Sequence, residues 1–233
     1  MNILQIAQEC CIRSKEPTIT NLFADNEAEQ EWLGYLQQAA KKIHMAHNWA
    51  DLKEDYHFVT TSHEKTDYEL PTDYFAFLTY FIYNSTKQEK IGNESDEEAL
   101  SVASTNNTSQ SLIKFRLIRG MIRFTYAIEA DQALAFNYKI KDFAKYVDDS
   151  STTYCDCFEH NEDTFLLDDE LLILCVLELR SLALGFADVD RRALDCSRRM
   201  DQLIQKDDGV RIANTLMVDG YPNKTTNADW NRT

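Results

Sequence analysis

Glycine and proline are scarce here: six glycines and three prolines in 233 residues. A phosphate-cradling loop needs clustered glycines so that backbone N–H groups can approach the anion, and six scattered ones build none. No Gly-x-Ser-x-Gly elbow occurs, and no cysteine stands in the setting of a known nucleophile. Basic residues are outnumbered, 24 Lys and Arg against 39 Asp and Glu, for a formal net charge of −15. Affinity for phosphate backbones comes from clustered cations that release counterions, so this balance argues against sequence-reading of nucleic acid. No apolar run reaches the ~20 residues of a membrane span. The longest, Leu171 to Phe186, is broken by Glu178 and Arg180, which a buried helix tolerates far better than a bilayer does. Met1 to Glu9 carries neither a basic leader nor an apolar core, so the expectation is synthesis in the cytoplasm with no membrane partner. The six cysteines follow no disulfide-scaffold spacing and read as thiols.

What is present is enough apolar mass, 44% of residues, for one large domain or one domain carrying an insertion. Ile3, Leu4, Ile6, Ala7, Cys10 and Cys11 recur at helical spacing until Glu16-Pro17, which predicts a short first helix. Trp32, Leu33, Leu36, Ala39, Ala40, Ile43 and Met45 predict a long helix over residues 28–47, with Asp25 or Asn26 as N-cap. From Tyr56 the pattern turns to strands. These are Phe58 to Thr61, Tyr68 to Leu70 ending at Pro71, Tyr80 to Tyr83, two strands about a glycine turn over Phe115 to Phe124, and Leu134 to Ile140. Their expected arrangement is an antiparallel sheet. Gly92 to Ser111, rich in Ser, Asn, Thr and Glu, reads as an exposed loop with a short helix, and Asp148 to Thr153 as a second soft segment.

Helices return at Asp168 or Asp169, where a carboxylate suits the positive helix end. Leu171 to Leu184 is apolar on nearly all faces, so that helix must be central. Gly185 breaks it, and Val189, Leu194, Met200, Leu203 and Ile204 support a last helix expected to stop before Asp207-Asp208-Gly209. Beyond it, Val210 to Thr233 holds scattered apolar residues with too little local core to fold alone.

The chemistry-bearing candidates are few. Cys155-Asp156-Cys157 with His160 is a weak metal pattern, because one residue between thiols is not the spacing of a structural zinc site. His44 and His47 share a helix face without an evident third ligand. Cys175 and Cys196 fall in apolar stripes and read as packing residues. Neither metal nor cofactor is expected.

Three segments carry a family resemblance: the helix end His47-Asn48-Trp49-Ala50-Asp51-Leu52, the stretch Tyr68-Glu69-Leu70-Pro71-Thr72-Asp73-Tyr74, and the run Phe165 to Ile173, followed by Arg180, Gly185 and Asp208-Gly209. Together they resemble the head-to-tail adaptor (connector) proteins of short-tailed bacteriophages, in element order over most of residues 1–210. Departures are Cys175 to Leu179, where the family often has basic or aromatic residues, and the Ser/Asn-rich loop.

The resemblance implies a non-catalytic virion protein at the head–tail junction. It would form a ring, commonly of twelve copies, under the portal protein and prolong the DNA channel toward a tail tube or nozzle protein. Genomic DNA would pass through without sequence-specific binding; the negative charge fits either an acidic lumen that lets it slide or the solubility of the free subunit. By position, Val210 to Thr233 would be a portal-binding arm with Ile212, Leu216, Met217, Val218, Tyr221 and Trp230 as anchors. The alternative is a tail accessory factor that hydrolyses peptidoglycan, which needs a carboxylate pair. Glu170 is the one residue worth testing for that role, and a carboxylate at a helix start is its competing explanation.

The expected fold class is α+β: a helical bundle from residues 1–54 and 159–208, an inserted antiparallel β-rich domain over 55–158, and an extended C-terminal arm over 209–233.

Overall fold

The computed structural model describes residues 1–62, 64–95, 113–148 and 151–218, with 209–218 in backbone only. The architecture is mixed α and β, with four α-helices and a curled sheet among the described residues. Two compact units divide the chain: Met1–Ala50 with Glu159–Thr233, and Asp51–Phe158.

In the helical unit, α1 (Ile3–Ser14) starts at a capping box. Asn2 accepts from the Gln5 N–H at 2.9 Å, and Gln5 accepts from the Asn2 N–H at 3.1 Å, so two orphan donors are satisfied reciprocally. Its face of Ile3, Ile6, Ala7, Cys10 and Cys11 is buried, and Lys15 ends it in the left-handed region. Helix α2 (Glu27–Ala46) opens on Asn26, which accepts from the Ala28 N–H. Both helices lie within two residues of their expected bounds.

Helix α3 (Asp169–Leu184) is capped by Asp168 and terminated by Gly185 at φ 67°, a conformation that glycine adopts without steric cost. It packs against α1, α2 and the helix after it. Leu171, Leu172, Ile173 and Val176 are buried, each contributing about 1.5–3 kcal/mol of burial, so α3 is central.

Helix α4 (Val189–Val218) corrects the expected stop before Asp207-Asp208-Gly209, because it runs 30 residues and takes Gly209 in its interior. A mid-helix glycine costs only about 1 kcal/mol relative to alanine. Asp207 is held from outside the helix by His47 and the Ala50 N–H, and backbone hydrogen bonding continues past the glycine. The first part of the expected extended arm, residues 210–218, is therefore helical. Residues 219–233 lie outside the described residues.

The other unit begins at Asp51, within a 3₁₀ turn (Ala50–Leu52) that leads into β1 (Lys53–Val59). There follow β2 (Asp67–Glu69), β3 (Tyr74–Phe77), β4 (Phe81–Asn84), β5 (Glu89–Asn93), β6 (Lys114–Ile118), β7 (Met121–Phe124) and β8 (Ala133–Ile140). The pairing order is β1-β8-β4-β5-β6-β7-β2, with β3 also on β8. Strand β8 alternates strictly up to Tyr138, burying Leu134, Phe136 and Tyr138. Around Phe136 gather Phe58, Phe77 and Tyr56, with Phe77 stacked on it at 4.7 Å. Phe58 of β1 meets Tyr68 of β2 at 5.2 Å. The two ends of the strand order therefore touch, and the sheet curls around an aromatic core.

Expected strands at residues 68–70, 80–83 and 134–140 appear as β2, β4 and β8 within one residue, whereas the strand expected at 58–61 is the end of β1, which starts at Lys53 and stops at Val59. The hairpin about Arg119-Gly120 forms with both turn residues at positive φ, 52° and 76°, the backbone of a tight primed turn. A wholly antiparallel sheet is not observed, since β5 and β6 pair in parallel. Their connection exceeds the dozen or so residues that a parallel crossover needs. Strand β5 was not legible because only Ile91 of it is buried. The hairpin β9 (Ala144–Val147) and β10 (Thr152–Cys155) replaces part of the expected soft segment, with Asp148 and Ser151 exchanging backbone hydrogen bonds. The expected short helix in the Ser/Asn-rich loop lies outside the described residues.

Candidate functional site

The acidic run before α3 is where the helical unit is fastened. Asp163, nearly buried, accepts from the Glu159 and His160 N–H groups at 2.6 and 2.9 Å, and its carbonyl accepts from the Ile3 N–H at 2.7 Å. Next, Thr164 of β11 (Thr164–Phe165) bridges to Asn2. Asp168 caps α3 through the Leu171 N–H at 2.8 Å and takes Arg199 of α4 on both oxygens, at 3.1 and 2.6 Å. That contact holds the Arg199 guanidinium above its ordinary pKa. Glu170 binds Arg13 of α1 through two oxygens, at 2.6 and 2.9 Å. Each Glu170 oxygen thus accepts from Arg13 of a neighbouring helix.

Arg180 of α3 is the most embedded cation of the unit, with 8% exposure. It donates to both oxygens of Glu16, at 3.0 and 2.5 Å, and its guanidinium lies 4.2 Å above the Trp32 ring. Helix spacing makes both contacts, since α3 crosses α2 at Trp32 and the residues after α1 at Glu16.

The segment ending in Trp49 turns the chain out of α2. The Trp49 indole donates to the Ile43 carbonyl at 2.8 Å and meets the His47 ring edge-on at 5.0 Å. His47 Nε2 lies 2.8 Å from Asp207 and 3.7 Å from Asp208. His44, three residues earlier, is buried. His47 joins two α4 carboxylates that sequence spacing did not connect to it.

In the sheet unit, Tyr68 is a core residue beside Phe58 and Phe124. Pro71 starts the turn whose carbonyl accepts from the Tyr74 N–H at 3.1 Å. Asp73 accepts from the Tyr138 hydroxyl at 3.0 Å, while Tyr74 stacks on the Tyr138 ring at 6.0 Å. Burial and then the Asp73 carboxylate push the Tyr138 phenol above its ordinary pKa. Tyr68, Pro71, Asp73 and Tyr74 of the motif thus each make a contact within the sheet unit.

Of the expected arm anchors, Ile212, Leu216, Met217 and Val218 lie on the last turns of α4, and Tyr221 and Trp230 lie outside the described residues. Exposed apolar side chains occur around the α3–α4 corner: Leu182, Leu184, Phe186 and Leu194, of which Leu194 counts in the apolar stripe that predicts the last helix. Ligand-type side chains converge in two groups among the described residues, His47-Asp207-Asp208 and Cys175-Glu178-Cys196. Neither is the Cys155-Cys157-His160 pattern. The spacing of Cys175 and Glu178 on one helix face was legible; their meeting with Cys196 was not.

No protein-family model matches the chain, and no curated protein matches its sequence.

Proposed function

We propose that the chain is a head-to-tail adaptor of a short-tailed phage virion, a structural subunit that rings the underside of a portal and links the capsid to a tail tube or nozzle protein. The observation that carries this reading is the order of the chain. Helices from both sequence extremes belong to one unit, a β-rich segment is inserted between Ala50 and Glu159, and the resembling motifs at Trp49, Tyr68 to Tyr74 and Phe165 to Ile173 mark the junctions and turns. In this reading the helical unit is the bundle of the adaptor and the curled sheet is its insertion.

Three further features support it. The exposed apolar residues at the α3–α4 corner offer surface that a neighbouring copy would cover in a heterologous ring. The charge of −15 suits a channel wall that repels DNA phosphates. No helix among the described residues is long and apolar enough to cross a membrane. The C-terminal segment from Val210 is the portal-binding element, and its anchors Ile212, Leu216, Met217 and Val218 sit on a helix end instead of an extended strip. An amphipathic helix presented to a groove is an established mode of recognition.

The test is electron microscopy of the purified chain mixed with its cognate portal. Full-length protein is expected to add a closed ring of density beneath the portal, and a chain lacking residues 210–233 is expected to leave the portal bare. Portal-bound rings formed by the truncated chain would remove the arm from the proposal, and failure of the full chain to bind any portal would remove the function.

A further inference from the structure

Cys175 and Glu178 stand three residues apart on α3 and present their side chains to the same side. Cys196 of α4 meets them there. The two Sγ atoms lie 2.6 Å apart, and one ligand atom from each of the three residues lies within 4.8 Å of the others. From α2, the Lys42 ammonium reaches the Glu178 carboxylate at 2.7 Å.

We propose that Cys175, Glu178 and Cys196 form a binding site for a soft divalent transition-metal ion, Zn²⁺ foremost, that staples α3 to α4. This inference stands apart from the adaptor reading. Two thiolates and a carboxylate are the donor types that select zinc over the hard, oxygen-seeking cations. Their geometry needs little change. Zinc–thiolate bonds of about 2.3 Å put two sulfurs about 3.8 Å apart on a tetrahedral ion, so the pair has to part by about 1 Å, within reach of small side-chain rotations. The Glu178 and Lys42 side chains are 19% and 43% exposed, so a water could reach the ion as a fourth ligand.

Charge favours the same conclusion. Two thiolates and one carboxylate around Zn²⁺ sum to one negative charge, which the Lys42 ammonium cancels at the site's edge. The Lys42 ammonium already sits 2.7 Å from the Glu178 carboxylate, so the cation is in place. Without metal, Cys175 and Cys196 are free thiols. The pair therefore binds by exchange: Zn²⁺ enters, two S–Zn bonds form, two S–H bonds break, and two protons leave to buffer with no change of oxidation state. A disulfide would need neither Glu178 nor Lys42 beside it, and both sulfurs are buried away from an oxidant.

The experiment uses full-length protein stripped with a chelator, then titrated with Zn²⁺ against a chromogenic competitor and, separately, with Co²⁺ read by its thiolate-to-metal charge-transfer absorption. The expected result is one ion per chain with two protons released. Cys175→Ser and Cys196→Ser should each weaken binding at least tenfold, and Lys42→Met roughly tenfold as an outer-shell change. Cys155→Ser/Cys157→Ser should leave binding unchanged. Wild-type protein that shows no cobalt–thiolate band at saturating metal would overturn the proposal. So would a band lost in Cys155→Ser/Cys157→Ser yet kept in Cys175→Ser and Cys196→Ser, or freshly purified protein two hydrogens lighter than the free-thiol mass. Lys42→Met, altering a half-exposed side chain, keeps the test decisive if a cysteine variant fails to fold.

Discussion

Arg180→Ala tests whether the helical unit is held by its embedded cation. The substitution strips Glu16 of a two-oxygen partner and removes the cation over Trp32. Breaking a buried ion pair from one side costs about 3–5 kcal/mol, because the abandoned charge stays poorly solvated. The Glu16 side chain is 23% exposed and regains some hydration, which places the loss near the lower end, about 3 kcal/mol. Losing the guanidinium–indole contact adds about 1 kcal/mol. A total of about 4 kcal/mol is a large share of the 5–15 kcal/mol typical of a folded domain. Urea unfolding followed by tryptophan fluorescence reads it directly, since Trp32 and Trp49 both belong to this unit. Adding Glu16→Gln to Arg180→Ala should restore about 2 kcal/mol relative to the sum of the single losses, because no orphaned charge then remains. Added salt should change the Arg180→Ala effect little, as a half-buried pair is poorly screened. A loss under about 1 kcal/mol, or strictly additive single losses, would refute the reasoning.

Asp168→Ala removes an N-cap and the Arg199 partner together, and should cost about 1–2 kcal/mol. Asp168→Asn, which keeps the cap, should cost less than half of that in the same urea assay. Lys139 is buried in β8, and desolvation lowers its amine to about 8 from an ordinary 10.5. The unfolded chain therefore binds more protons than the folded one between those values. Stability should rise with pH across that window and be flat with respect to this group below about 8. Lys139→Met should raise the thermal midpoint at pH 7 and abolish the alkaline rise; an unchanged slope would show that another group produces it.

Much of the helical unit was legible because its signals are local. Asn26 and Asp168 precede apolar periodic runs, Pro17 and Gly185 follow them, and each acts through backbone geometry within one turn. The Arg119-Gly120 hairpin was legible for the same reason. Strand β5 escaped because a single buried Ile91 gives no alternation to read, and β9–β10 because its residues are mostly half-exposed or exposed. Gly209 looked like a helix terminator because the external hold on Asp207 comes from His47 and Ala50, some 160 and 157 positions away.

The amino-acid order by itself determined where three of the described helices begin and end, which faces are apolar, and that acidic residues outnumber basic ones. These follow from neighbours a few residues apart and from composition. The folded chain alone decided that β5 runs parallel to β6, that α4 passes through its glycine, that Glu170 and Asp168 are spoken for by arginines of other helices, and that two thiols meet a carboxylate between α3 and α4. Those arrangements join residues from 21 to 160 positions apart, and such encounters are set by how helices and strands pack, for which a linear pattern carries no local signal.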